Sequence, residues 1–137
     1  RAEAWTGPAV RWGTVTPIAL DRLPPRRHEH DDDWVAAQLR EMCQRIGLPV
    51  PCAIGVSPVS PHLGAPACRQ FPPLFRKVDG AKRWHVHAVL QFEKPVEGPI
   101  LLGAGRYKGY GLCKPLAVSG ADSLTLADAA DHGRADG

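Results

Sequence analysis

The chain has 137 residues, 44% of them hydrophobic and 23% charged, which provides for one core and excludes both wholesale disorder and two independent domains. Fourteen prolines and fourteen glycines predict many turns and few long helices. The net charge of +3 is unevenly placed: basic and acidic residues number 7 each over residues 1–68, 9 against 3 over 69–114, and 1 against 4 over 115–137, so the excess sits in 69–114 as a polyanion-binding face would require, although such a bias is also common on ordinary surfaces.

No apolar run approaches the roughly 18 residues of a membrane span, and no signal-peptide pattern opens the chain, so a cytoplasmic protein without a membrane partner is expected. Cys43, Cys52, Cys68 and Cys113 contain no C-x-x-C pair and read as buried, reduced thiols rather than zinc ligands or disulfide partners. The sequence begins at Arg1 without a methionine, which suggests a part detached from a larger protein. The expected organisation is one domain over 1–118 followed by a flexible acidic tail over 119–137.

Residues 10–20 are rich in β-branched and aromatic types and predict a first strand, with Pro17 at an edge or bulge. The stretch 24–30 reads as an exposed loop. Asp31, Asp32 and Asp33 then offer an N-cap and favourable charge for a helix carrying Val35, Leu39, Met42 and Ile46 at helical spacing, stopped by Gly47 and Pro49. Residues 50–60 predict a second strand and 61–82 a long, basic, Pro-rich loop containing Arg69, Arg76, Lys77 and Lys82. From Trp84 to Phe92 the sequence alternates, with Trp84, Val86, Ala88, Leu90 and Phe92 on one face and His85, His87, Val89 and Gln91 on the other, the pattern of a strand. A short helix within 95–102, a glycine-rich turn over 103–111 and a last strand over 110–116 complete the order. Strand, helix, strand, strand, helix, strand is the ferredoxin-like βαββαβ pattern: an α+β fold whose antiparallel sheet carries its helices on one face, leaving the other face for a partner. Fold alone does not settle function.

The sharpest segment is Gly103-Ala-Gly-Arg-Tyr-Lys-Gly-Tyr-Gly111. Gly103, Gly105, Gly109 and Gly111 permit close backbone approach to an anion, Arg106 and Lys108 add charge, and Tyr107 or Tyr110 adds a stacking surface. The segment fits neither the nucleotide P-loop nor the dinucleotide fingerprint, and a glycine-rich hairpin without a ligand is the plainer alternative. His85 and His87 share a face and could engage one phosphate together, or simply make ordinary sheet hydrogen bonds. His28 and His30 stand beside three aspartates, whose charge opposes phosphate approach. His62 and His132 look like loop and tail residues. The four histidines and three aspartates supply donors enough for a metal, but nothing in the sequence brings the two pairs together, so neither a metal nor another cofactor is expected. The H-x-H elements lack the partner threonine or serine of two-histidine phosphoesterases. Trp5, Trp12, Trp34 and Trp84 read as core or interface residues, with Trp84 beside Arg83 open to either use.

Three stretches together resemble the RAMP superfamily of CRISPR-associated proteins: Trp12 to Arg22, His85 to Phe92, and Gly98 to Pro115, with Gly-x-Gly, a basic insert and Gly-Tyr-Gly before a last strand. The resemblance is nearest to the C-terminal half of the fused backbone-and-processing subunit of type I-U (I-G) systems. It implies a ferredoxin-like endoribonuclease that cuts CRISPR repeat RNA without a metal, by attack of a ribose 2′-hydroxyl on the neighbouring phosphate. It also implies an N-terminal fusion partner domain and association with other subunits of a type I effector complex. Proton transfer would fall to His85 or His87, or to His28, which lies in the region that often carries the active histidine in related enzymes, with Tyr107 or Lys108 able to replace a second histidine as proton donor. RNA would be held by Gly103, Gly105, Arg106, Lys108, Gly109 and Gly111 with Arg76, Lys77, Arg83 and Lys114. The alternative is a non-catalytic module that binds guide RNA and assists assembly. A generic acyl- or nucleotide-binding domain is the third reading.

Overall fold

A computed structural model describes residues 3–28 and 31–117. In chain order the elements are the single-turn helix α1 (Glu3–Thr6), strands β1 (Ala9–Thr14) and β2 (Ile18–Ala19), helix α2 (Asp32–Arg45), strand β3 (Ala53–Ser57), the long strand β4 (His85–Val96) and strand β5 (Cys113–Pro115). Short 3-10 turns lie at Arg26–His28, Cys68–Gln70 and Arg106–Lys108. His30, His132 and the acidic tail expected over 119–137 fall outside the described residues.

Strand β4 is the spine of the sheet. It pairs antiparallel with β1 (Trp12↔Leu90, Gly13↔Val89), with β2 (Ile18↔Val86, Ala19↔His85), and with β3 from Ala53↔Gln91 to Ser57↔His87. Strand β5 closes the far edge of β1 through Gly13↔Lys114. The resulting order β5-β1-β4-β3, antiparallel throughout, with α2 crossing from the β1–β2 unit to β3, is the ferredoxin-like arrangement.

The first strand, expected to run unbroken over 10–20, stops after Thr14 and resumes at Ile18, because Pro17 lacks the N–H a ladder requires. At the break the Thr14 hydroxyl oxygen accepts from the Ala88 N–H at 2.9 Å, standing in for a backbone partner. Helix α2 starts where the aspartates predict: Asp31 Oδ1 accepts from the N–H groups of Asp33 and Trp34 at 3.0 and 3.1 Å. It ends at Arg45, two residues before Gly47, whose φ of 85° only glycine adopts without strain. Val35, Ala36, Leu39, Met42 and Cys43 are its buried stripe, whereas Ile46, expected on that stripe, is 40% exposed.

The core lies between α2 and one face of the sheet, where Trp12, Ile18 and Leu20 meet Val86, Ala88, Leu90 and Phe92. This is the alternation read from β4. The short helix expected within 95–102 is absent. Strand β4 continues through Pro95 to Val96, and beyond it the backbone is spent on a ladder: Leu102 N–H donates to Gly111 O at 3.0 Å and Cys113 N–H to Ile100 O at 3.0 Å. The last strand begins only at Cys113, because the N–H groups of Tyr110 and Gly111 turn instead to Gly105 O and Pro17 O.

The second sheet face, expected to be free, is partly covered by the Pro-rich segment 58–72. Ser60 Oγ donates to Thr14 O at 2.6 Å, and His62 Nε2 lies 3.0 and 3.2 Å from Gly13 O and Lys114 O. Both partners of His62 are carbonyls, so Nε2 carries the proton and pins the segment across β1 and β5. Pro61 rests on Gly13, where a Cβ would lie 2.5 Å from its ring. All four cysteines are free thiols; Cys43 and Cys113 are buried, Cys68 is half-buried, and Cys52 is exposed, contrary to the uniform burial expected. Burial pushes the Cys43 and Cys68 thiols up to about 11.

Candidate functional site

The period-2 geometry of β4 directs His85 and His87 to the second face, but their surroundings differ. His87 is fully buried. Its Nε2 lies 2.8 Å from Pro66 O, which only accepts, so that nitrogen donates. Nδ1 then accepts from the Thr14 hydroxyl at 2.8 Å. This chain of bonds fixes a neutral imidazole, and burial holds its pKa below the usual histidine value despite the two favourable hydrogen bonds. Beneath the covering segment both ring nitrogens of His87 are engaged, so neither faces the surface on which proton transfer to a ligand was expected.

His85 lies at the other condition. It lines a cleft of about 340 Å³ together with Cys68, Arg69, Lys82, Arg83 and Trp84. Neither of its ring nitrogens makes a hydrogen bond among the described residues, and Nε2 is sealed from solvent without a partner. Burial, and secondarily the charge of Lys82, lowers its pKa, so the ring is neutral at pH 7. Arg83 is a fixed cation: its Nη1 donates to Leu20 O and Asp21 O at 2.9 and 3.0 Å. Among the described residues none of Arg69, Lys82 and Arg83 pairs with a carboxylate, which sets three positive charges around one neutral imidazole.

The glycine-rich loop reaches this cleft through Tyr110. The buried Tyr110 ring lies 5.2 Å from the His85 ring and packs edge-on against Phe71 at 4.7 Å, and its hydroxyl donates to Pro72 O. Gly105 is needed because a Cβ there would lie 2.6 Å from the Tyr110 ring. The loop and His85 therefore adjoin, but the expected anion cradle is largely filled by the protein itself. Gly103 abuts Ala19, Gly111 abuts Leu102, and the N–H groups of Leu102, Ala104, Lys108, Tyr110, Gly111 and Leu112 all bond internally. These glycines serve close approach of chain to chain. What the loop presents outward is its tip: Tyr107 is 89% exposed and carries the Arg106 guanidinium 5.0 Å above its ring, with Lys108 and Gly109 also exposed.

The remaining residues expected at the site scatter. Arg76 pairs with Asp79 at 3.4 Å, while Lys77 is exposed nearby. Lys114, on β5, sits 5.4 Å from the Trp5 ring and does not line the cleft, and His28 ends the 3-10 turn Arg26–His28. Conversely, Arg69, Lys82 and Trp84 line it without having been singled out as site residues; the excess of basic residues in 69–114 was the only sign of the first two. Among the described residues no group of three His, Cys, Asp or Glu side chains could hold a metal ion, and no helix is long and apolar enough to cross a membrane.

The arrangement is a cationic cleft with a neutral imidazole in its wall, suited to a phosphodiester. No curated protein and no solved structure matches the chain. Residues 2–115, which include every residue lining this cleft, match a family described as CRISPR-associated protein, GSU0054 family; the chain belongs to that family of CRISPR-associated proteins.

Proposed function

We propose that the protein is a CRISPR repeat-RNA processing endoribonuclease of the RAMP type, equivalent to the C-terminal half of a type I-U fused subunit. It would act beside an N-terminal partner domain and other effector subunits. The observation that carries this reading is the uncommitted, neutral imidazole of His85 set among Arg69, Lys82 and Arg83. A phosphate of the RNA lies against the three cations, which stabilise the extra negative charge of the phosphorane. With Nε2 sealed, Nδ1 of His85 is the nitrogen a ligand in the cleft meets. It removes the proton of the 2′-hydroxyl; the 2′-oxygen bonds to phosphorus, the bond to the 5′-oxygen breaks, and that oxygen takes a proton from water. The products are a 2′,3′-cyclic phosphate and a 5′-hydroxyl. Tyr107 and Arg106 at the loop tip offer a stacking surface and a cation to the flanking RNA.

The test is incubation of the full chain with a synthetic repeat RNA in the presence of a chelator. Cleavage that leaves a cyclic phosphate and disappears in His85→Ala supports the enzyme. A second reading, a guide-RNA-binding and assembly module, is favoured by the engagement of His87, which leaves one imidazole in the cleft where acid–base cleavage commonly uses two groups. Tight, salt-sensitive binding of the same RNA without cutting establishes that reading instead.

A further inference from the structure

Beyond the cleft, the segment expected to be an irregular loop contains an ordered finger over residues 74–83. Arg83 N–H donates to Leu74 O at 2.7 Å, Arg76 N–H to Ala81 O at 2.8 Å and Gly80 N–H to Arg76 O at 2.8 Å, with a bridge between Phe75 and Lys82. The turn is braced by Asp79 Oδ1, which accepts from Ala81 N–H at 3.0 Å and pairs with Arg76. Two features at the Phe75–Lys82 bridge are unexplained by folding. Phe75 is 56% exposed although it sits on ordered backbone, and Lys82 is exposed and has no ion-pair partner among the described residues. Residues directly opposite each other on antiparallel chains project to the same side. Phe75 and Lys82 are such a pair, and Lys82 lines the cleft. An apolar ring therefore stands at the rim of a cationic cleft, next to one of the cations that line it.

We propose that Phe75 is a base-stacking platform, on which the nucleotide adjoining the cleft-bound phosphate lays its base while Lys82 holds the phosphate. The proposal rests on the RNA-binding reading of the cleft and adds a contact that this reading does not require. RNA is the occupant the charges favour. The finger's one acid, Asp79, is already matched by Arg76, leaving Lys77, Lys82 and Arg83 as its net positive charge, with Lys82 opposite the ring, and a π-face takes any base. An unpaired base rather than a duplex fits a single exposed ring.

The experiment titrates the full chain into a short single-stranded oligoribonucleotide in which one position at a time carries fluorescent 2-aminopurine. Stacking on Phe75 quenches the fluorophore at one position. Phe75→Ala is expected to abolish that quenching and weaken binding roughly 5- to 150-fold, whereas Phe75→Trp retains both. Urea denaturation of each variant reports the fold, which a half-exposed side chain at a finger rim affects little. Unchanged quenching and Kd in Phe75→Ala overturn the platform while leaving the cleft standing. If the unmodified chain itself fails to bind the oligonucleotide at moderate salt, the RNA reading of the cleft falls first. If Phe75→Ala binds RNA normally but loses association with another effector subunit, the exposed ring is a protein contact and the proposal is overturned.

Discussion

His85 and His87 stand two residues apart on the same face of one strand, and they have opposite chemical lives. His87 is sealed, with a carbonyl on one nitrogen and a hydroxyl on the other. His85 borders a cleft with Lys82 and holds no hydrogen bond among the described residues. The strand is not the cause of the difference, since its period assigns both to one face. The cause is the segment crossing above: Pro66 lands on His87, and the chain then turns at Cys68–Gln70, so that Cys68 and Arg69 become the wall of the opening around His85. Strand periodicity chooses the face of a histidine, and the loop that crosses that face decides whether the ring is available.

The severest test of this contrast is catalytic. His85→Ala is expected to lower the rate of repeat-RNA cleavage by about 10²- to 10⁴-fold while leaving the RNA Kd nearly unchanged, because the three cations remain. His87→Ala, assayed cold and corrected for folded fraction, is expected to keep most of the rate. Single-turnover cleavage with gel-shift binding measures both, and the reverse assignment of the two rates breaks the comparison.

The same division between sealed and open positions runs through the glycine-rich loop. A Cβ at Gly111 would overlap Leu102 O at a φ of 70°, whereas Gly109, with φ of 90°, has open space around it. Gly111→Ala is expected to cost about 3 kcal/mol or more, combining overlap with backbone strain, and Gly109→Ala only about 1–2 kcal/mol from the left-handed backbone. Urea unfolding separates them; equal losses indicate that the loop's glycines are not distinguished by packing. Stability also sharpens the histidine contrast. His87→Ala leaves a cavity and the Pro66 and Thr14 groups without their ring partner, a loss of about 2–4 kcal/mol, while His85→Ala sacrifices no hydrogen bond and is expected to cost about 1 kcal/mol or less.

These contrasts mark how far the sequence carries. Helix α2 and strand β4 were legible because burial imprints a period on each: the aspartate cap, the Val35–Leu39–Met42 stripe and Gly47 for one, the Trp84-to-Phe92 alternation for the other. From the order of elements the ferredoxin-like topology followed. What the sequence withheld is tertiary. Nothing in the spacing of His85 and His87 tells which one Pro66 will cover. The glycines of 103–111 have the composition of a ligand cradle, yet Gly103, Gly105 and Gly111 are needed by Ala19, Tyr110 and Leu102 of the same chain. Arg69 and Lys82, thirteen residues apart, join one cleft only because the finger 74–83 folds back between them.

The smallest effect, and the most selective for the sealed histidine, is its pH dependence. Burial lowers the pKa of folded His87 below the roughly 6.5 of an unfolded histidine. Between those values the unfolded chain binds more protons than the folded one, so stability rises with pH. The contribution is fully present above the unfolded value and is progressively lost as pH falls below it, by at most about 1.4 kcal/mol for each unit of displacement. His85, also lowered, adds in the same direction. Measured by urea denaturation between pH 7.5 and 5.5, above the range of ordinary carboxylates, the chain is therefore expected to weaken on acidification. His87→Gln retains an amide donor toward Pro66 and does not titrate, so its slope is expected to be shallower than that of the unmodified chain, with His85→Gln removing a smaller part. A slope unchanged by His87→Gln, or stability that rises toward pH 5.5, means that the ring beneath Pro66 accepts a proton where it stands and that the sealed and open histidines are not the distinct species described above.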